Sequence, residues 1–233
     1  FSGDSITDGN RGKSMDCNHI MGHGYQYIVA SQLALENAEN MPKFINKGYS
    51  GKRSEELLEK WQEDVIDNKP TILSILVGVN DGGHGYFTGI TPEETAQRYE
   101  TNLRAILEKT RNELGDIKII VCEPFYFPLD KSDCSYKFTP HPDGVEGPFK
   151  RPDSSDPEDS VAYREAANAR IRAITKRVAE EFNCIFVSLY DKIEENAKRS
   201  RIEYFIWDGT HPTIAGHMII AREWLKAVEE RLT

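Results

Sequence analysis

The stretch Thr71-Ile72-Leu73-Ser74-Ile75-Leu76-Val77-Gly78-Val79-Asn80-Asp81 decides the fold. From Ile72 to Val77 it is apolar except at Ser74, with none of the alternation of a half-wet strand. Such a run, ended by a glycine, reads as a strand buried on both faces. Further β-like runs lie at 43–46, 117–123 and 184–189, rich in Ile, Val, Leu and Phe. The segments between them carry a helical period. In Pro92–Leu114 the residues Ala96, Tyr99, Leu103, Ile106, Leu107 and Leu114 share a face. Thr91 caps that segment, Pro92 takes its first position, and Glu94 follows three after the Thr. Residues 159–182 align Ala167, Ile171, Ile174 and Val178, and 212–232 align Ile214, Met218, Ala221, Leu225, Val228 and Leu232. Two more helices are predicted at 25–38 and 54–67. Buried strands separated by helices make a doubly wound parallel sheet in a three-layer α/β/α domain.

At 233 residues the chain is expected to form one domain, 1–233. Hydrophobic residues make 39% and charged residues 29%, close to a globular average and far from a disordered chain. The net charge of −9, without a basic block, argues against nucleic acid or an anionic membrane as partner. Apolar runs are too short to span a membrane. Of four cysteines, Cys122 and Cys184 fall in strand-like runs and read as reduced core thiols, which favours the cytoplasm. The chain begins with Phe1, and the strand that should precede Ser5 is barely represented, so its beginning is read as trimmed. Residues 131–160 break the rhythm: they hold five of the eleven prolines and show no period. They read as an insertion near the carboxyl edge of the sheet, walling a pocket or joining a contact in a homo-oligomer, with a mobile surface loop as the alternative.

Four short patterns sit at strand ends or helix entrances. Gly3-Asp4-Ser5-Ile6-Thr7-Asp8-Gly9 places a serine where a nucleophile belongs, at the carboxyl edge of a parallel sheet. Asn46-Lys47-Gly48-Tyr49-Ser50-Gly51 is a glycine-bearing turn after a strand, and Gly78-Val79-Asn80-Asp81 ends the strongest strand with an amide side chain. In Trp207-Asp208-Gly209-Thr210-His211-Pro212 the carboxylate can hold the imidazole Nδ1–H and leave Nε2 outward. Together they supply a nucleophile, two candidate oxyanion donors and an acid–base pair.

In this order the four blocks resemble the GDSL, or SGNH, hydrolase family, over essentially the whole chain. Ser5, Gly48 and Asn80 match its first three blocks, and Asp208 with His211 matches the last. The phrases at 73–81, Cys122-Glu123-Pro124-Phe125 and 207–213 are similar to the bacterial branch that includes acetylxylan esterases. Two departures fall where that family builds its pocket: Gly82-Gly83-His84-Gly85-Tyr86 after Asp81, and the length of 131–160. The resemblance implies a flavodoxin-like sheet and a catalytic Ser5, Asp208 and His211. It implies an oxyanion hole of the Ser5 and Gly48 amides and the Asn80 side chain, with no cofactor.

The expected substrate is a small-molecule or oligosaccharide ester, most simply an acetyl ester of a carbohydrate, with Asp4, Trp207 and Tyr86 as candidate contacts. Asp4 and Asp8 also read as braces for the turn under Ser5. The alternatives are a lysophospholipase, thioesterase or arylesterase and, from another class, a non-catalytic sugar-binding protein on the same fold. His19 and His23 have the spacing of a helical metal pair, but adjacent glycines and the missing third ligand argue against that reading. The glycines near Ser5 match neither a phosphate loop nor a dinucleotide fingerprint.

Overall fold

The computed structural model describes residues 1–12, 19–129 and 158–232. Most of the 131–160 insertion, with Cys17 and Cys134, lies outside the described residues. Five strands, β1 (Ser2–Gly3), β2 (Lys47–Gly48), β3 (Ile72–Leu76), β4 (Lys118–Cys122) and β5 (Ile185–Val187), form one parallel sheet in the order 2-1-3-4-5. This is the flavodoxin-like, doubly wound order, with helices on both faces in an α/β/α sandwich.

Alternate strand residues serve opposite layers. Leu73, Ile75 and Val77, with Ile119 and Val121, pack against α3 (Ser54–Glu59), α5 (Pro92–Leu114) and α6 (Glu158–Glu181). Leu76, Ile120, Cys122, Ile185 and Val187 face α2 (Tyr25–Glu36), α7 (Tyr190–Ala197) and α8 (Ile214–Leu232). Ser74, the polar break in the decisive run, faces that second layer and accepts the Trp224 indole N–H at 3.0 Å. Cys122 and Cys184 are buried free thiols. Among the described residues no helix is long and apolar enough to cross a membrane.

Where the elements differ from expectation, a tertiary contact decides. β2 lies at Lys47–Gly48, later than 43–46, because the Phe1 amine and carbonyl bind Ile45 and Lys47 and set the register. Residues 54–67 do not form one regular helix. A widened turn at Gln62–Ile66 lets Trp61, bonded to Thr110 at 2.9 Å, and Val65 and Ile66 all enter the core. Residues 79–88, outside the helices expected from periodicity, form helix α4 (Val79–Thr88), whose glycines admit the α6 side chains Asn168 and Tyr163. The inward face of α8 is shifted in phase at its start: Ala221 and Val228 are buried as expected, but Ile214 and Met218 are exposed at 91% and 54%, and His217, Ile220 and Trp224 turn inward.

His217 explains that phase. Its Nδ1 accepts the Tyr25 N–H, the first amide of α2, at 3.1 Å, so an imidazole on one helix caps another. Burial, followed by the nearby His23 and His211, lowers its pKa from 6.5 to about 4. The unfolded chain therefore binds a proton first as pH falls, and stability drops from 6.5 toward 4. Asn in place of His217 keeps an acceptor near Nδ1 and cannot titrate. Between pH 7.5 and pH 4, denaturant unfolding should show the wild type losing about 3 kcal/mol relative to His217→Asn. Parallel stability curves would refute the neutral cap.

Candidate active site

Ser5 follows β1 after the single residue Asp4, as the first residue of a single-turn helix, α1 (Ser5–Asp8). Asp4 caps that turn by accepting the Ile6 amide on Oδ1 at 3.0 Å, and Gly9 closes it at φ +52°. The Ser5 amide has no acceptor inside so short a helix. Gly3 is dictated by contact: a Cβ there would lie 2.3 Å from the Leu76 carbonyl.

Asp208 and His211 arrive from the far end of the chain on a tight loop before α8. The loop is closed by Trp207 N–H to His211 O at 3.0 Å and tied to the strand β4 exit by Phe127 N–H to Gly209 O at 2.9 Å. Gly209 has φ +85°, and a Cβ would meet the Phe127 carbonyl at 2.5 Å. Asp208 Oδ1 accepts the amides of Thr210 and His211, and Oδ2 lies 2.6 Å from His211 Nδ1. A carboxylate only accepts, so Nδ1 carries the proton and Nε2 is left as the acceptor for the Ser5 hydroxyl, at 2.8 Å. The structure thus brings Ser5, His211 and Asp208 into one line of hydrogen bonds. The Asp208 bond holds the His211 pKa above its ordinary 6.5, against burial. Burial pushes Asp208 up, but its bonds from His211 and Thr210 outweigh it and leave the carboxyl below its usual value.

Asn80, in the first turn of α4, donates Nδ2–H to Lys52 O at 3.0 Å, which places it beside the turn that carries Gly51. Gly48 is a correction. Its N–H is committed to Asn46 Oδ1 at 2.8 Å in a buried position and is not available to an oxyanion. The need for glycine there is steric, since a Cβ would meet the Asp8 amide nitrogen at 2.2 Å. Gly51, three residues on, is the exposed glycine of the motif, at φ +78°.

Asp4 is a correction too. Asp4 is 1% exposed beneath Ser5, so it braces and does not touch substrate, and its Oδ2 has no partner among the described residues. Burial raises its pKa to about 7. Tyr86 packs edge-on against Phe87 and Tyr163 at the α4–α6 contact, about 9 Å along the helix from Asn80. Trp207 stacks beside the His211 ring, centroids 6.1 Å apart, while Trp61 and Trp224 are core residues. Asn46, in the same motif as Gly48, has a structural part. Its Nδ2 reaches the carbonyls of Thr7, Asp8 and Met21 at 2.8, 3.2 and 2.9 Å, stapling α1 to β2.

A parallel α/β sandwich with a Ser-His-Asp line at its carboxyl edge defines a serine hydrolase scaffold. The chain matches the GDSL-like lipase/acylhydrolase family over residues 1–219 and belongs to it. It is 29% identical to an acetylxylan esterase of Geobacillus stearothermophilus over 232 residues, 98% of this chain and 92% of that one. The structure of that esterase superposes with a TM-score of 0.71 over 98% of this chain and 92% of its own. A Parabacteroides merdae protein assigned to the GDSL-like lipases, 31% identical, reaches 0.79 over 98% and 94%. Catalytic mutants of the Geobacillus enzyme replace a serine, an aspartate, and a histidine three residues after that aspartate. A further mutant of it replaces the tryptophan directly before the aspartate.

The two glycines of the second block can be separated by experiment. Gly48→Ala should cost at least about 2 kcal/mol in denaturant unfolding and disturb Ser5, because backbone must move. Gly51→Ala, with open space around it, should cost about 1 kcal/mol. Equal costs would contradict the packing described.

Proposed function

We propose that the chain is a serine esterase that removes acetyl groups from carbohydrate esters through an acetyl-enzyme. The observation that carries this is the 2.8 Å contact between Ser5 Oγ and His211 Nε2, behind which Asp208 fixes the tautomer. His211 takes the Ser5 proton as Oγ attacks the ester carbonyl, and the new imidazolium is stabilised by Asp208. The tetrahedral oxyanion is received by the Ser5 amide, the second Asn80 amide hydrogen and the Gly51 amide, which replaces Gly48 in that role. Collapse expels the sugar alcohol, which takes its proton from His211. Water, deprotonated by His211, then attacks the acetyl-serine to release acetate and restore Ser5.

The acetyl preference is supported by similarity to the acetylxylan esterase over nearly the full length of both chains. It also draws on the relative's description as an acetyl-xylooligosaccharide esterase. Trp207 beside His211 offers an aromatic flank to a sugar ring.

Acetate release from acetylated xylo-oligosaccharides should fall at least about 10³-fold in folded Ser5→Ala, because the triad acts as a unit. A folded Ser5→Ala enzyme with a third of wild-type activity would remove the assignment. A higher kcat/KM on octanoyl than on acetyl p-nitrophenyl ester, with no acetate from any sugar, would move the substrate to lipids or thioesters. Neutral His211 is the working form, so kcat/KM should rise with pH through a midpoint above 6.5. Asp208→Asn should lower both that midpoint and the rate. A midpoint unmoved by Asp208→Asn would count against His211 as the base.

A further inference from the structure

Asn80 and Asp81 are consecutive residues in the first turn of α4, and both grip the same short stretch of a neighbouring loop. Asn80 holds the Lys52 carbonyl at 3.0 Å. The Asp81 carboxylate accepts the Ser54 amide, at 3.0 Å on Oδ2 and 3.2 Å on Oδ1, and the Ser54 hydroxyl at 2.5 Å. Ser54 Oγ in turn accepts Asn102 Nδ2 from α5 at 3.1 Å. Asp81 and Ser54 are both buried. A carboxylate is costly in such a place unless its partners satisfy it. These partners offset part of that cost, and they have a local cause. The residue capping α3 is Arg53, whose guanidinium only donates, so the first helical amide must find its acceptor on another element.

The held stretch runs straight out of Gly51. That glycine is exposed, at φ +78°, and a Cβ on it would find no atom within 4 Å. Packing around its α-carbon does not fix it. Its amide is placed by the bonded frame on either side: Tyr49 N–H to Gly3 O at 2.9 Å before it, and Lys52 and Ser54 after it. Asn80 and Asp81 therefore set the second half of that frame from one rigid helical turn.

We propose that Asp81 is a positioning residue for the esterase reaction: by clamping the start of α3 through Ser54, it sets the Gly51 amide in register with Ser5 and Asn80. The proposal rests on the reading of Gly51 and Asn80 as oxyanion donors. Such donors act only at hydrogen-bond distance from the oxyanion, and loss of one costs about 10²–10³ in turnover. A loosened Gly51 amide forfeits part of that factor and leaves the ground-state ester almost untouched.

The test compares wild type, Asp81→Asn, Ser54→Ala and Ser5→Ala on p-nitrophenyl acetate, each per mole of protein shown folded by near-ultraviolet circular dichroism. Inhibition by a short alkyl boronic acid, which forms a tetrahedral adduct on the serine, is measured alongside. In Asp81→Asn, kcat should fall about tenfold or more with KM within twofold, and the boronate inhibition constant should rise by a similar factor. Ser54→Ala keeps the amide bond to Asp81 and should show the same pattern, reduced to about threefold. A folded Asp81→Asn enzyme with kcat and boronate inhibition within twofold of wild type overturns the proposal. If that variant does not fold, Ser54→Ala with unchanged kcat and inhibition overturns it equally. Ser5→Ala keeps the two questions apart. Activity surviving there defeats the esterase reading, whereas an inactive Ser5→Ala beside an unaffected Asp81→Asn defeats only the positioning role.

Discussion

The place of β1 between β2 and β3 is the constraint on which the site depends. Parallel strands joined by right-handed crossovers must put α2, leading from β1 to β2, on one face and α3, leading back to β3, on the other. The chains leaving β1 and β3 diverge, and a crevice opens between their carboxyl ends. Ser5 stands at one lip of it and Asn80 at the other. The two strands run close enough that Gly3 must lack a side chain. The nucleophile is therefore placed by main-chain pairing, and β1 needs only two residues in the ladder to do it.

A two-residue strand and a four-residue helix are weak elements alone, and a single helical turn does not form in isolation. Side-chain bonds from other segments hold them. Asn46 binds the Thr7, Asp8 and Met21 carbonyls and the Gly48 amide. Asp4 binds Ile6, and Asp81 binds Ser54. In each case a buried amide or carboxylate accounts for main-chain groups that regular structure leaves open. Polar motif residues thus carry the local architecture, and the apolar core carries the layers.

That division explains what could be read in advance. Helix α5 matches its sequence reading to the residue because Thr91, Pro92 and Glu94 are local signals, and the capping box forms as written. β3 and β4 follow from apolar runs, and Asp208 with His211 follows from a spacing that a short loop can close. The misses all depend on distant partners. α4 contains Gly82, Gly83 and Gly85, poor helix formers, and is sustained by α6 packing into the space they leave. α7 begins where Glu123, from the end of β4, accepts the Leu189 and Tyr190 amides. The phase of α8 follows from His217 reaching Tyr25, which its own periodicity cannot reveal. Gly48 and Gly51 share one motif, and it takes the Asn46 bond and the contact with Asp8 to distinguish the glycine that packs from the exposed one.

The burial that places these groups also sets their charges against the fold. Asp4, raised to about 7, and Asp81, raised to about 6, bind protons more tightly folded than unfolded. The stability they contribute is whole below about 3.8 and is lost as pH rises through those values. His211, held above 6.5 by Asp208, runs the same way, since its favoured charged form also disappears on deprotonation. His217 runs the other way, penalising the fold as pH drops below 6.5. Esterase chemistry needs neutral His211, so the pH range that frees the base is the range in which the buried carboxylates ionise at the fold's expense. The negative charge that Asp4 then carries lies within electrostatic reach of His211, where an imidazolium must form during acyl transfer.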